Sequence, residues 1–141
     1  MQVRDVMNTA VVTAERSTPI GQVAKLMADE DVGAVVIVEG GKPVGIITDR
    51  DLVVAHPATG HTPDHAVEEA MSRGGPLSGL ATIAPDLDVL EAAQELGRRK
   101  VGRLLVVEGG RLVGILSAGD VTKQLRKGLD GLLAEGEKAE Q

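Results

Sequence analysis

Two stretches of this chain end in one pattern, Gly45-Ile46-Ile47-Thr48-Asp49-Arg50-Asp51 and Gly114-Ile115-Leu116-Ser117-Ala118-Gly119-Asp120. Each is an apolar strand closing on a hydroxyl residue, with an aspartate three positions later. The register is constant, since 114 − 45 and 120 − 51 both equal 69, and it also aligns Val32-Gly33 with Val101-Gly102 and Thr13 with Thr82. Upstream, Val3 and Met7 match Val67 and Met71 at a spacing of 64, so five extra residues lie between Ser72 and Thr82 in the second copy. A fixed period of this kind signals duplicated supersecondary units that bury their faces against one another.

Each copy reads as β-α-β-β-α. Val11-Val12 and Leu80-Ala81 are short leading strands. Ser17 or Thr18 is placed to cap a helix with Pro19 in its first turn, and Ile20, Val23, Ala24 and Met27 form an amphipathic stripe. Asp86 caps the equivalent helix, with Val89, Ala92, Ala93 and Leu96 on its stripe. Ala34 to Val38 is too apolar to face water on either side and reads as a buried strand. Glu39-Gly40-Gly41-Lys42 is a hairpin turn, Pro43 to Thr48 the return strand, and Asp49 to His56 a second helix. Arg103 to Gln124 repeats this order.

The organisation expected is repeat one over residues 1–60 and repeat two over 64–127, with a C-terminal extension over 128–141. Pro57 to Pro63 is a linker, Asp64 to Ser72 a short helix, and Arg73 to Gly79 a Gly/Pro-rich loop. Leu125, Leu129, Leu132 and Leu133 extend the last helix, while Glu135 to Gln141 is expected to fray and be partly disordered. One unit of this size is marginal alone, so the fold class is α+β (α/β), two repeats packed sheet to sheet with pseudo-twofold symmetry.

Composition narrows the function. The apolar fraction of 43% is wholly aliphatic and methionine, with no Phe, Tyr or Trp, so base stacking on aromatic rings is excluded. A formal charge of −6 argues against nucleic acid or an anionic membrane as partner. No apolar run reaches membrane-span length and no basic segment with an apolar core opens the chain, so a cytoplasmic protein is expected. With no cysteine, disulfides and thiolate metal sites are excluded. Nucleophile elbow, Walker loop, dinucleotide fingerprint and HExxH are all missing, and the chain is read as not an enzyme. A hydrolase or metal-dependent enzyme is the least supported class. His56, His61 and His65 lie beside Asp64, but spacings of five and four match no metal signature and they read as solvated.

Thr48-x-x-Asp51 and Ser117-x-x-Asp120 carry two readings. A hydroxyl cap followed three residues later by an acid resembles a capping box. Such boxes favour Glu or Gln, whereas both copies here have Asp at the carboxyl edge of a sheet, where ligands collect beside helix N-termini.

Two ordered copies of G-h-h-[ST]-x-x-D, each closing a β-α-β-β-α unit over about residues 3–126, resemble the CBS domain, which occurs in tandem pairs (Bateman modules). The "TDRD" of residues 48–51 is similar to stand-alone bacterial CBS-pair proteins. The resemblance implies a non-enzymatic regulatory module, an adenine-nucleotide sensor binding AMP, ADP, ATP or S-adenosylmethionine in clefts between repeats, with no covalent cofactor. The Asp would hold ribose hydroxyls, with the hydroxyl residue beside ribose or phosphate. One cleft would comprise Ser117, Asp120 and Arg103 with Val12, Val32 and Gly33; the other Thr48 and Asp51 with Ala81, Val101 and Gly102. Arg103 has Ala34 as its counterpart, so the second cleft lacks that cation. Arg98-Arg99-Lys100 is taken as solvated. The resemblance also implies a homodimer of pairs and an unknown protein partner that reads the ligand's effect in trans or through assembly. The alternative is a structural or protein-interaction module whose clefts stay empty.

Overall fold

The computed structural model describes residues 1–53, 62–71 and 80–140. Its elements follow the duplicated order. After a 3-10 turn at Val3–Asp5 come β1 (Thr13–Ala14), α1 (Ile20–Glu30), β2 (Ala34–Glu39), β3 (Lys42–Thr48) and α2, helical over 49–53. Then follow α3 (Val67–Met71), β4 (Thr82–Ile83), α4 (Val89–Arg99), β5 (Arg103–Glu108), β6 (Arg111–Ser117) and α5 (Ala118–Glu140). Two three-stranded sheets result, ordered β1-β2-β3 and β4-β5-β6. The central strands are buried as their β-branched runs require: Val35, Val36 and Ile37 are at most 1% exposed. β1 runs parallel to β2, and β3 returns antiparallel with Ala34 opposite Thr48. Gly40 and Gly41, with φ of 59° and 80°, close that turn, a conformation closed to most side chains.

Several local expectations are corrected. The leading strands lie two residues later than Val11-Val12 and Leu80-Ala81, although the carbonyls of Val12 and Ala81 still accept from the Val36 and Leu105 amides. Neither Ser17 nor Thr18 caps α1; Pro19 occupies the cap without a side-chain bond, and the Thr18 hydroxyl accepts from the Glu15 amide instead. Asp88, not Asp86, caps α4, its carboxylate accepting from the Leu90 amide at 2.8 Å. Ala24 is exposed, and the half-buried Leu26 takes its place against the core. Helix α5 runs to Glu140 through a segment of Leu, Ala, Glu and Lys, all strong helix formers. The loop at Arg73 to Gly79, His56 and His61 lie outside the described residues.

The compact units differ from the sequence division into 1–60 and 64–127. Unit 1 comprises Met1–Thr9, Ala81–Glu108 and Val113–Gln141; unit 2 comprises Ala10–Leu80 with Gly109–Leu112. The leader of each sequence repeat therefore packs on the body of the other. In unit 1 the fully buried Val3 joins a core with Ile83, Ala92, Leu104, Val106 and Leu116. Its amide donates to the Leu87 carbonyl, and Asn8 and Ile115 exchange two backbone hydrogen bonds at 2.9 and 3.0 Å. In unit 2 its counterpart Val67 is fully buried with Val23, Val35, Ile37 and Ile47. Ile20 donates there to His65 and Val67 to Thr18.

The exchange explains a buried glycine. A Cβ on Gly114 would stand 2.5 Å from the Met7 sulfur and 3.2 Å from the Asn8 carbonyl oxygen, so a side chain there would displace Met7 and press on the leader backbone beside β6. Val3→Ala is expected to lower stability by about 2 kcal/mol, as a core truncation does, despite its place near the terminus. Urea denaturation would reveal this; a midpoint equal to that of the parent would mean the leader is not part of the core.

Candidate functional site

The ends of the antiparallel strands bring each predicted motif together within its own unit. In unit 2, Thr48 closes β3 opposite Ala34, and the Asp49 amide donates to the Gly33 carbonyl at 3.0 Å. Val32 and Val12 are half-buried against the same core. Thr48, Asp51, Gly33, Val32 and Val12 therefore belong to one unit. In unit 1, the Ala118 amide donates to the Gly102 carbonyl at 2.9 Å. Ser117, Asp120, Gly102, Arg103, Val101 and Ala81 all belong there. Ala81 packs on the core, whereas Val101 is 37% exposed.

Both hydroxyl–aspartate pairs form reciprocal capping boxes. The Thr48 amide donates to Asp51 Oδ2 at 2.9 Å, and the Asp51 amide donates to Thr48 Oγ1 at 3.2 Å. The equivalent bonds in unit 1 are 3.0 Å from the Ser117 amide to Asp120 Oδ2 and 3.1 Å from the Asp120 amide to Ser117 Oγ. The capping reading is thus correct as local structure. It uses one oxygen of each carboxylate: among the described residues, neither Asp51 Oδ1 nor Asp120 Oδ1 has a hydrogen-bond partner. The two boxes differ in exposure, Asp120 being half-buried and Asp51 exposed.

The cations separate into two groups. Arg98 and Arg99 both bond Glu95, at 2.6 and 2.9 Å. Hydrogen bonds from Arg98 first and Arg99 second hold the Glu95 carboxyl below the ordinary range, and Glu95 in turn raises the Arg98 guanidinium. These residues line a groove of about 540 Å³ between β4 and α4 that contains none of the predicted site residues. Arg103 is exposed at the start of β5 and has no ion pair among the described residues. His65 accepts from the Thr62 amide and approaches Glu69 at 3.9 Å, and no group of metal-ligating side chains occurs among the described residues. No helix there is long and apolar enough to cross a membrane.

A duplicated unit of three-stranded sheet and helices, each with a capped helix N-terminus and a half-used carboxylate at the sheet edge, defines a tandem α+β module. The chain belongs to the CBS domain family, whose model matches residues 3–57 and 63–127. It is 34% identical over 119 residues to the CBS domain-containing protein YhcV of Bacillus subtilis, covering 84% of this chain and 81% of that one. Among solved structures, the CBS domain pair of protein MJ0100 in complex with 5′-methylthioadenosine and S-adenosyl-L-methionine superposes with a TM-score of 0.75. The two are 25% identical over 89% of this chain and 99% of that one. Hypoxic Response Protein I with two coordinated zinc ions matches with a TM-score of 0.74 and 26% identity, over 87% and 98% of the two chains.

Removing either hydroxyl breaks half a box. Ser117→Ala and Thr48→Ala are each expected to cost about 1 kcal/mol. Chemical denaturation with helicity followed by circular dichroism checks this; a loss below a few tenths would mean the boxes do not hold the helix starts.

Proposed function

We propose that this chain is a non-enzymatic regulatory module that binds an adenosine derivative at the strand ends carrying Asp51 and Asp120. AMP, ADP, ATP and S-adenosylmethionine are the candidate ligands. The observation that carries the reading is the second carboxylate oxygen of each box. A cap needs one oxygen; the other stands at a sheet edge, where a ribose diol can donate to it. The MJ0100 pair, bound to two adenosine derivatives in the same fold, supports the ligand class. Aliphatic neighbours such as Val32 and Val101 suit an adenine face in a chain without aromatic residues.

Arg103 favours the unit 1 strand end for a phosphorylated ligand. It has no ion pair among the described residues and follows Gly102, whose carbonyl accepts from the Ala118 amide at the start of α5, and amides at a helix start add favourable potential for an anion. The equivalent position in unit 2 is Ala34, which offers no charge. Ligand binding would then bias the packing or assembly of the module, and a protein partner would read that bias.

One observation favours a second reading, a structural module with empty strand ends: both boxes are complete without a ligand. Thermal shift with AMP, ATP and S-adenosylmethionine, each tested separately, distinguishes the two. A ligand at a hundredfold excess over its dissociation constant adds about 2.7 kcal/mol of stability, and Asp120→Ala should remove that gain. By titration calorimetry, Arg103→Ala should weaken a nucleotide at least tenfold while Asp51→Ala weakens it less; the reverse order would move the site to unit 2. With no aromatic residue in the chain, a purine absorbance band released on denaturation reports co-purified ligand directly. No shift with any of the three and no purine band would leave the structural reading standing.

A further inference from the structure

The two hairpin turns carry charge that the nucleotide reading does not use. Glu39-Gly40-Gly41-Lys42 and Glu108-Gly109-Gly110-Arg111 are equivalent in the 69-residue register. Their glycines adopt the same backbone, with φ of 59° and 80° in the first turn and 60° and 79° in the second. The tip of the second hairpin, Gly109–Leu112, packs within unit 2, where the Leu112 amide donates to the Gly41 carbonyl at 3.2 Å. Each turn's cation then reaches the opposite turn. A Cβ on Gly41 would stand 2.9 Å from an Arg111 guanidinium nitrogen, and one on Gly110 would stand 3.8 Å from Lys42 Cε. Glycine at position 41 leaves the room that the guanidinium occupies.

We propose that Lys42 and Arg111 form a site for a free oxyanion of the diphosphate class, with inorganic pyrophosphate as its simplest member. Two like charges brought to one junction repel, and an anion held between them turns that repulsion into attraction. Neither cation has an ion pair among the described residues. Glu39 stands opposite Lys42 in the strand pairing, yet its carboxylate bonds Arg16 at 3.2 Å. The counterpart of Arg16 in the second repeat is Pro85, and Glu108 is exposed with no ion pair among the described residues. The four glycine amides of the turns have no hydrogen-bond partner among the described residues, and turn amides are good donors to an anion. Two cations from separate hairpins suit a ligand with charge at both ends better than a single phosphate. The turns open β3 and β6, whereas Thr48 and Ser117 close those strands, so the site is separate from the strand ends and stands independently of the adenosine reading.

Titration calorimetry of the full chain with pyrophosphate tests the site, with circular dichroism confirming that each variant is folded. Lys42→Gln and Arg111→Gln should each weaken binding at least fivefold, and Lys42→Arg should keep it. Glu108→Gln, which removes a competing carboxylate, should tighten it. Arg103→Ala at the strand end and Lys25→Gln on the exposed face of α1 should leave it unchanged. In an Asp51→Ala/Asp120→Ala background ADP should bind no tighter than pyrophosphate, because glycine turns offer no face to a base. Four results would overturn the proposal: no binding of millimolar pyrophosphate to the parent chain; a loss with Lys25→Gln equal to that with Lys42→Gln, the mark of unspecific charge; a loss with Arg103→Ala alone; or ADP binding more than tenfold tighter than pyrophosphate in that background.

Discussion

Each half of this molecule must complete a core that a three-stranded sheet and two helices leave open. A sheet of that size with one covered face is at the lower limit of independent stability. The gap is closed by a leader segment that comes, in sequence, from the other repeat. Val3 seals the core beneath β5 and β6, and Val67 seals the one beneath β2 and β3. Both are fully buried, and both leaders are held by backbone hydrogen bonds rather than by apolar contact alone. Duplication thereby becomes obligatory: neither repeat, cut out along the sequence, contains all of its own core.

That arrangement governs what the strand ends can do. The capping boxes at Thr48–Asp51 and Ser117–Asp120 are rigid because the strands before them are buried and the helices after them start under fixed geometry. A carboxylate held by one oxygen is oriented, and its other oxygen is presented without a further loss of side-chain freedom on binding. Local structural use and ligand use are therefore compatible.

Much of the architecture was legible from the residues. The 69-residue register, the buried aliphatic runs and the Gly-Gly turns have direct physical meanings, and β2, β3, β5 and β6 fall where those meanings put them. Cap positions failed because proline geometry and a competing turn decided them: Thr18 was already bonded to Glu15, and Asp88 stood nearer the helix than Asp86. The leader exchange was missed, although a signal existed. Val3 and Val67 are spaced by 64 rather than 69, so the leader keeps no fixed distance from the body that follows it. A segment packed on its own repeat would be expected to hold the common register; one packed elsewhere is free to drift. The strand-end motifs were legible as chemistry, but the second oxygen of each carboxylate, without a hydrogen bond among the described residues, appears only once the bonds are drawn.

The asymmetry between the two halves is where specificity can arise. Units of the same strand order carry Arg103 in one and Ala34 in the other, a half-buried Asp120 against an exposed Asp51, and, in unit 1, Arg98 and Arg99 bonded to Glu95. An exposed ion pair of that kind adds little stability, since water screens it. Its consequence is instead that Arg98 and Arg99 are engaged with Glu95, whereas Arg103 has no ion pair among the described residues. Duplication supplies two corresponding strand ends, and Arg103 gives one of them a positive charge that Ala34 withholds from the other.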